Sequence, residues 1–144
     1  MEKKQKVFIV SVVLVAILLF TVLYHLNLAF HLTGHFEGTE RHYYSGYGYA
    51  LEVEEEVVLN VRQYNPLTGT IEGSFYYSAQ HTYPYYHSAD YTDKYQSKHF
   101  TARLDKKNMT IEVECTSGKK VQLNYNMRGG RWEYSDISLY WAGD

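Results

Sequence analysis

Tyrosine is the residue type whose number and placement most strongly suggest a chemical role. Sixteen of the 144 residues are tyrosine, and most fall in two stretches, one around Gly46 and Gly48 and one between residues 76 and 95. A tyrosine ring supplies contact area at low entropic cost, and its hydroxyl group adds a directed hydrogen bond. If both stretches meet at one rim, they predict an aromatic surface suited to a protein, a glycan or a small ligand. The candidate binding residues are Tyr43, Tyr44, Tyr47, Tyr83, Tyr85, Tyr86 and Tyr91. The alternative is that many of these rings only extend strands or cover the rim of the core.

The densest group of charges is formed by Glu52, Glu54, Glu55 and Glu56. Paired carboxylates act as acid and base only where their environments separate their pKa values. Glutamates that alternate along a strand more simply keep one face wet and discourage pairing at a sheet edge. Glu55 is out of phase with the others, so it implies either a nearby bulge or a carboxylate that looks into a polar interior.

The sequence offers few residue patterns typical of a metal site or of a catalytic nucleophile. A zinc site needs three or four converging ligands, and His31 and His35 would share a face only if a helix continued through Gly34. There is no Gly-x-Ser-x-Gly motif, and Cys115 falls on the apolar side of its strand, where a thiol is usually inert packing. We therefore expect a protein that is not an enzyme, with no metal site and no cofactor.

The N-terminal segment gives the strongest positional signal. Three lysines within residues 1–6 precede an apolar run from Val7 to Tyr24, which would make about 27 Å of helix, close to the thickness of a bilayer core. We predict a basic cytoplasmic tail over 1–6, a transmembrane helix over 7–26 and a juxtamembrane linker over 27–33. A signal peptide also begins with a basic stretch, so cleavage is the alternative.

Residues 34–144 are enough for one domain, and their hydrophobic residues alternate as in half-buried strands. Counting Arg131–Trp141 as one strand, the pattern predicts about seven antiparallel strands. Ala79–Ser97 does not alternate and is interpreted as a long exposed loop. The expected fold is thus an all-β soluble domain, a barrel or a sandwich, preceded by one transmembrane α-helix.

One internal echo supports a barrel. The segment 32–39 (LTGHFEGT) recurs as 67–74 (LTGTIEGS), either by duplication or because two strand starts share the same turn chemistry. In both copies a glycine, Gly38 or Gly73, lets a strand bend sharply or pack closely, as the corners of a barrel require.

The same residues carry a resemblance to a known group of folds. The opening Leu32-Thr33-Gly34-x-Phe36, followed by a long meander, resembles the start of a lipocalin- or avidin-type, calycin-like barrel. The turn Pro66-x-Thr68-Gly69-x-Ile71-x-Gly73-x-Phe75 adds to it. The resemblance implies a small barrel of eight strands. Since such barrels bind very different ligands, it implies no particular binding residue.

The charge and the cysteine content limit the classes of partner and of cellular compartment that we expect for this chain. Without the N-terminal lysines the chain is net acidic and has no basic stripe, so nucleic acid is not expected as a partner. A lone cysteine fits a low-cysteine bacterial envelope. The expectation is a single-pass protein of the cell membrane, with its N-terminus cytoplasmic and its β domain extracytoplasmic, that binds a protein, an envelope glycan or a small ligand. The alternative is an accessory or structural subunit of a membrane complex, assembled through the helix.

Overall fold

The computed structural model describes residues 2–143, so Met1 and Asp144, at the ends of the expected segments, lie outside it. A helix, α1, spans Glu2–Leu32, and eight β-strands follow it. The strands are β1 Gly34–Gly46, β2 Tyr49–Asn65, β3 Thr70–Thr82, β4 Tyr91–Arg103, β5 Thr110–Glu114, β6 Lys120–Asn126, β7 Arg131–Tyr134 and β8 Ile137–Gly143. A short 3-10 turn, His87–Ala89, lies between β3 and β4.

The strands form one antiparallel sheet that curls into a nearly closed barrel. Its order is β4-β3-β2-β1-β8-β7-β6-β5, so the first and last strands pair and β4 and β5 are the two edges. Thr116 brings these edges together, because its N–H and its hydroxyl group donate to the carbonyl oxygen of Gln96 at 2.8 and 3.0 Å. The sheet is therefore a barrel rather than a sandwich, compatible with the shape that the resemblance implied.

The expectation of seven strands is wrong by one. The stretch 131–141 is not one strand, because the chain turns back at Ser135 and Asp136 and pairs Tyr134 with Ile137. Ser135 takes a φ of 53°, a left-handed value that few residues other than glycine adopt. With neither Gly nor Pro at the turn, the alternation pattern runs through it and conceals the eighth strand.

The interpretation of 79–97 as a long loop is also wrong. Strand β3 continues to Thr82 and β4 begins at Tyr91, which leaves only residues 83–90 as a loop. Apart from Ala79, the inward side chains here are polar or aromatic, as in the stacked pair His81 and Tyr91, whose ring centroids are 4.1 Å apart. The apolar alternation is therefore missing, and pairing with the long neighbour β2 keeps the chain extended.

The N-terminal helix and the barrel share one core. The side chains of residues 7–26 are almost all exposed, and this part of the helix is long and apolar enough to cross a membrane. The helix continues through residues 27–32, where a linker was expected. Leu28 and Leu32 are buried in the barrel's hydrophobic cluster, and the indole N–H of Trp132 donates to the carbonyl oxygen of Leu32 at 3.2 Å. The helix thus closes one end of the barrel.

The two ends of the barrel differ. We call the end closed by α1 the helix end and the opposite end the open end. Strands β1–β4 have 13 to 17 residues, whereas β5–β8 have 4 to 7. The first four strands consequently extend beyond the others at the open end. Their inner surface there, which we call the upper inner face, is not covered by opposing strands.

The two glycines of the internal echo are buried where strands approach closely. A Cβ atom at Gly38 would lie 2.8 Å from the side chain of Leu139 and would meet the carbonyl oxygen of Ser138 on β8. A Cβ atom at Gly73 would meet the carbonyl oxygen of Asn60 on β2, next to irregularities in the pairing of β3. The expected close packing at these two glycines is confirmed.

Replacing Gly73 by alanine should destabilise the barrel by about 1–3 kcal/mol, because the new methyl group is forced against backbone rather than a movable side chain. Urea unfolding of the detergent-solubilised chain measures this. Gly129→Ala is the matched control, since a Cβ atom there meets only the flexible side chain of Arg131. Equal unfolding midpoints for the two variants would contradict the close approach at Gly73.

Candidate functional site

Glu55 is a carboxylate on the inner face of the barrel wall. It lies between Val53 and Val57 on the inward side of β2, and its pairing with β1 and β3 is regular at this point. No register shift interrupts β2 between Glu52 and Val61. Of the two expectations for Glu55, the polar interior is therefore correct and the bulge is not.

Two neighbouring strands hold this carboxylate in place. The hydroxyl group of Tyr77 on β3 donates to one oxygen of Glu55 at 2.7 Å, and Nε2 of His42 on β1 lies 3.0 Å from the other. The side chains of Glu55 and His42 are 21% and 34% exposed, so solvent and ligands can reach them. We call these three residues the Glu55 cluster. Glu40 adds a second carboxylate, 4.0 Å from the imidazole of His42.

An aromatic layer made of Tyr77, Tyr95 and Tyr134 lies between Glu55 and the apolar core. The ring of Tyr77 stacks on Tyr95 of β4 with centroids 5.5 Å apart, and its other neighbour is Tyr134 of β7 at 5.3 Å. Tyr134 also contacts Phe75, which belongs to the core. Burial, followed by the hydrogen bond to Glu55, raises the pKa of the Tyr77 phenol well above its ordinary value. Tyr77 is therefore a neutral hydrogen-bond donor at physiological pH.

The short half of the barrel contributes one cation to this region. The ammonium group of Lys119, in the turn before β6, lies 3.7 Å from the centroid of the Tyr95 ring. A cation over an aromatic face is attracted by the ring quadrupole. The upper inner face thus combines flat rings, carboxylates and an ammonium group within adjacent strands, which suits recognition of a polar surface through several hydrogen bonds.

The tyrosines singled out from the sequence lie at the same end of the barrel, but not as one cluster. Tyr44 is on the inner side of β1, with its ring 6.3 Å from that of His42, and Tyr91 stacks on His81. The remaining ones lie on or near the two hairpin tips: Tyr43, Tyr47, Tyr83, Tyr85 and Tyr86. Within residues 2–143 no ring stacking joins one hairpin to the other.

The loop that carries three of these tyrosines is held by its own polar contacts. The backbone N–H of Tyr83 donates to the carboxylate of Asp90 at 2.7 Å, and the N–H of Tyr86 donates to the carbonyl oxygen of Tyr83 at 3.0 Å. Asp90 also lies 3.4 Å from the imidazole of His87. The exposed rings of Tyr85 and Tyr86 are therefore presented from an ordered turn.

The other candidates for chemistry do not converge on this site. His31 lies on the last turn of α1, whereas His35 lies on β1 and contacts Glu37 at 2.6 Å. Cys115 is buried, as its place on the apolar side of a strand predicted, and burial raises the pKa of its thiol. It is therefore a protonated packing group.

The sequence interpretation missed His42, Tyr77 and Tyr95 as members of the site. The alternation that begins at Phe36 places His42 inside, and the one that includes Phe75 places Tyr77 inside. These phases were readable from the sequence. The meeting of the side chains depends on strand register over 13 and 22 residues of separation, which alternation alone does not specify.

A scan against protein-family models, a search of curated proteins and a search of solved structures each found no match to this chain.

The buried phenols predict a steep loss of stability in alkaline solution. Tyr77, Tyr125 and Tyr134 have raised pKa values, chiefly from burial, so the folded chain keeps protons that the unfolded chain releases above about pH 10. Their contribution is complete below that pH and is lost as the pH rises toward the folded-state pKa values. Each such group steepens the decline of the unfolding free energy by at most about 1.4 kcal/mol per pH unit.

With Tyr77→Phe, the unfolding free energy should therefore decline less steeply above about pH 10, by the slope that roughly one titrating proton contributes. The same substitution should lower stability at neutral pH. Denaturant unfolding at a series of pH values measures the slope. Tyr47→Phe is the control, because Tyr47 is fully exposed. Identical slopes for the wild type and Tyr77→Phe would refute the assignment of Tyr77 as a buried neutral donor.

Proposed function

We propose that this protein is a single-pass membrane protein whose extracytoplasmic β-barrel binds a partner at its open end. One observation carries the proposal: an exposed apolar helix leaves one end of the barrel, and the aromatic and acidic upper inner face opens at the other. Residues 7–26 make about 30 Å of helix with apolar side chains outward, which is favourable in a bilayer and costly in water. In that orientation the open end points away from the lipid.

Retention of the helix is supported by its contribution to the barrel core. Ala29 could serve as the residue before a signal-peptidase cut, although Asn27 then occupies the −3 position, where a small residue is preferred. Cleavage there would remove Leu28, which is 5% exposed and packs within the barrel cluster. The three N-terminal lysines favour a cytoplasmic N-terminus and so an extracytoplasmic barrel.

The type of partner follows from how the barrel is filled. The interior of the barrel is occupied by Trp132, Phe36 and Leu59. Toward the open end it is closed by the aromatic layer around Tyr77. A calycin-like barrel that encloses a ligand needs an internal cavity. Here the interior is filled by side chains, and the polar groups lie at the open end. This arrangement favours a partner with an extended surface, a protein or an envelope glycan, over a small ligand taken inside.

Site-specific photocrosslinking in membranes of the source cell tests the proposal. A photoreactive residue at Tyr47 or Tyr85 should yield a discrete adduct, and one at Leu67, exposed at the helix end, should not. Glu55→Gln keeps the shape but removes the charge, and should reduce the adduct about tenfold, the value of one charge-assisted hydrogen bond. Equal labelling from all three positions, or an adduct unaffected by Glu55→Gln, would contradict binding at the open end.

The alternative of an accessory subunit assembled through its helix predicts a different dependence. Residues 7–23 can be replaced by an unrelated apolar sequence while the turns that enter the barrel are kept. A partner bound at the open end should still form its adduct with this variant. Loss of the adduct together with an intact barrel would favour assembly through the helix instead.

A further inference from the structure

The length of the exposed helix fixes the depth of the junction between helix and barrel. If residues 7–26 fill a hydrocarbon core of about 30 Å, the headgroup layer of roughly 5–8 Å on the outer side corresponds to residues 27–31. The last turns of α1 and the adjoining turns of the helix end therefore lie among lipid headgroups. This placement rests on the proposed membrane anchoring.

Two grooves open at that depth, one on each side of His31. The first has a volume of about 190 Å³ and lies between α1 and the β6–β7 turn; the second, of about 360 Å³, is bordered by Phe30 and Trp141. His31 and Gly130 line both, so the two grooves adjoin, and we call them together the junction groove. The rings of Phe30 and Trp141 are 77% and 62% exposed, which fits an interfacial aromatic belt.

The turn that borders the junction groove is basic. Arg128 follows Met127 and Arg131 follows Gly130, two residues that line the groove; the arginines themselves lie outside its lining, and Arg128 is exposed. The side chain of Arg131 is 36% exposed; its guanidinium group lies over the ring of Tyr140, with its central carbon 5.5 Å from the ring centroid, and its Nε, shielded from solvent, is 4.0 Å from a carboxylate oxygen of Glu133. An exposed guanidinium nitrogen is suited to a phosphate oxygen, so Arg128 and the exposed part of Arg131 are the candidate partners.

The neighbouring turns have the same character. The β4–β5 turn adds Lys106 and Lys107, both exposed, against the single acid Asp105, which caps its own turn. Leu67 and Met127 are exposed at the tips of the other two turns of the helix end. Basic and apolar side chains on one rim are the combination that binds an anionic membrane surface.

From these observations we propose that the junction groove is a binding site for an anionic phospholipid of the outer leaflet. Its phosphate would face Arg128 and Arg131, and its acyl chains would follow the apolar side of α1 past Phe30. Two basic residues near a membrane surface should enrich an anionic lipid at the groove roughly thirtyfold over a neutral one. The Glu55 cluster lies at the opposite end of the barrel and plays no part in this site.

Selective quenching of Trp141 in nanodiscs tests the proposal with the full chain. All discs contain phosphatidylcholine and phosphatidylglycerol in the same ratio, and only one species carries bromine on the acyl carbons next to the headgroup. Trp141 should be quenched much more strongly by brominated phosphatidylglycerol than by brominated phosphatidylcholine. Trp141→Phe reports the background from Trp132, which is fully buried.

Charge variants separate a site from general attraction. Arg128→Ser with Arg131→Ser should abolish the preference for phosphatidylglycerol, while Lys94→Ser with Lys120→Ser, an equal charge change elsewhere on the barrel, should leave it intact. Equal quenching by both lipids in the wild type would overturn the lipid site but leave the anchor standing. No quenching by either lipid would instead overturn the membrane anchoring on which both proposals depend.

Discussion

The packing of the last helical turns into the barrel is the interaction on which the rest of the structure depends. Helix ends leave carbonyl groups without partners, and a buried end must satisfy them. Here the indole of Trp132 donates to the carbonyl oxygen of Leu32, and Thr33 donates through both its N–H and its hydroxyl group to that of Ala29. With Leu28 and Leu32 in the same hydrophobic cluster as the strands, helix and barrel cannot rotate independently.

This coupling gives the two ends of the barrel different surfaces. The helix end is filled by leucine side chains, so the polar groups of the interior collect at the other end. Long strands from the first half of the chain extend past the short second half and expose Glu55, held by Tyr77 and His42. If the helix spans the membrane, the barrel would therefore turn a fixed polar surface away from the membrane, toward partners. The basic rim at its helix end would face the lipid headgroups on the same side of the membrane.

Local signals predicted the parts of the fold that depend on local physics. Alternation identified most strands, and Gly38 and Gly73 marked two close approaches, where backbone contact leaves no room for a side chain. The turn at Ser135 was missed because it has neither glycine nor proline. The inward orientation of Glu55 was one of the two interpretations that its phase allowed, and its partners come from strands that only the sheet register brings together.

The most direct test of the shared core compares two leucines of the same helix. Leu32→Ala should lower the free energy of barrel unfolding by about 2–5 kcal/mol, as for any core leucine, because Leu32 is fully buried. Leu26→Ala, at a position 61% exposed, should leave barrel unfolding unchanged. Near-UV circular dichroism of the tryptophans during denaturation in detergent reports the transition. If Leu32→Ala unfolded at the wild-type midpoint, the helix and the barrel would be separate bodies, and the coupling between the N-terminal helix and the barrel would be refuted.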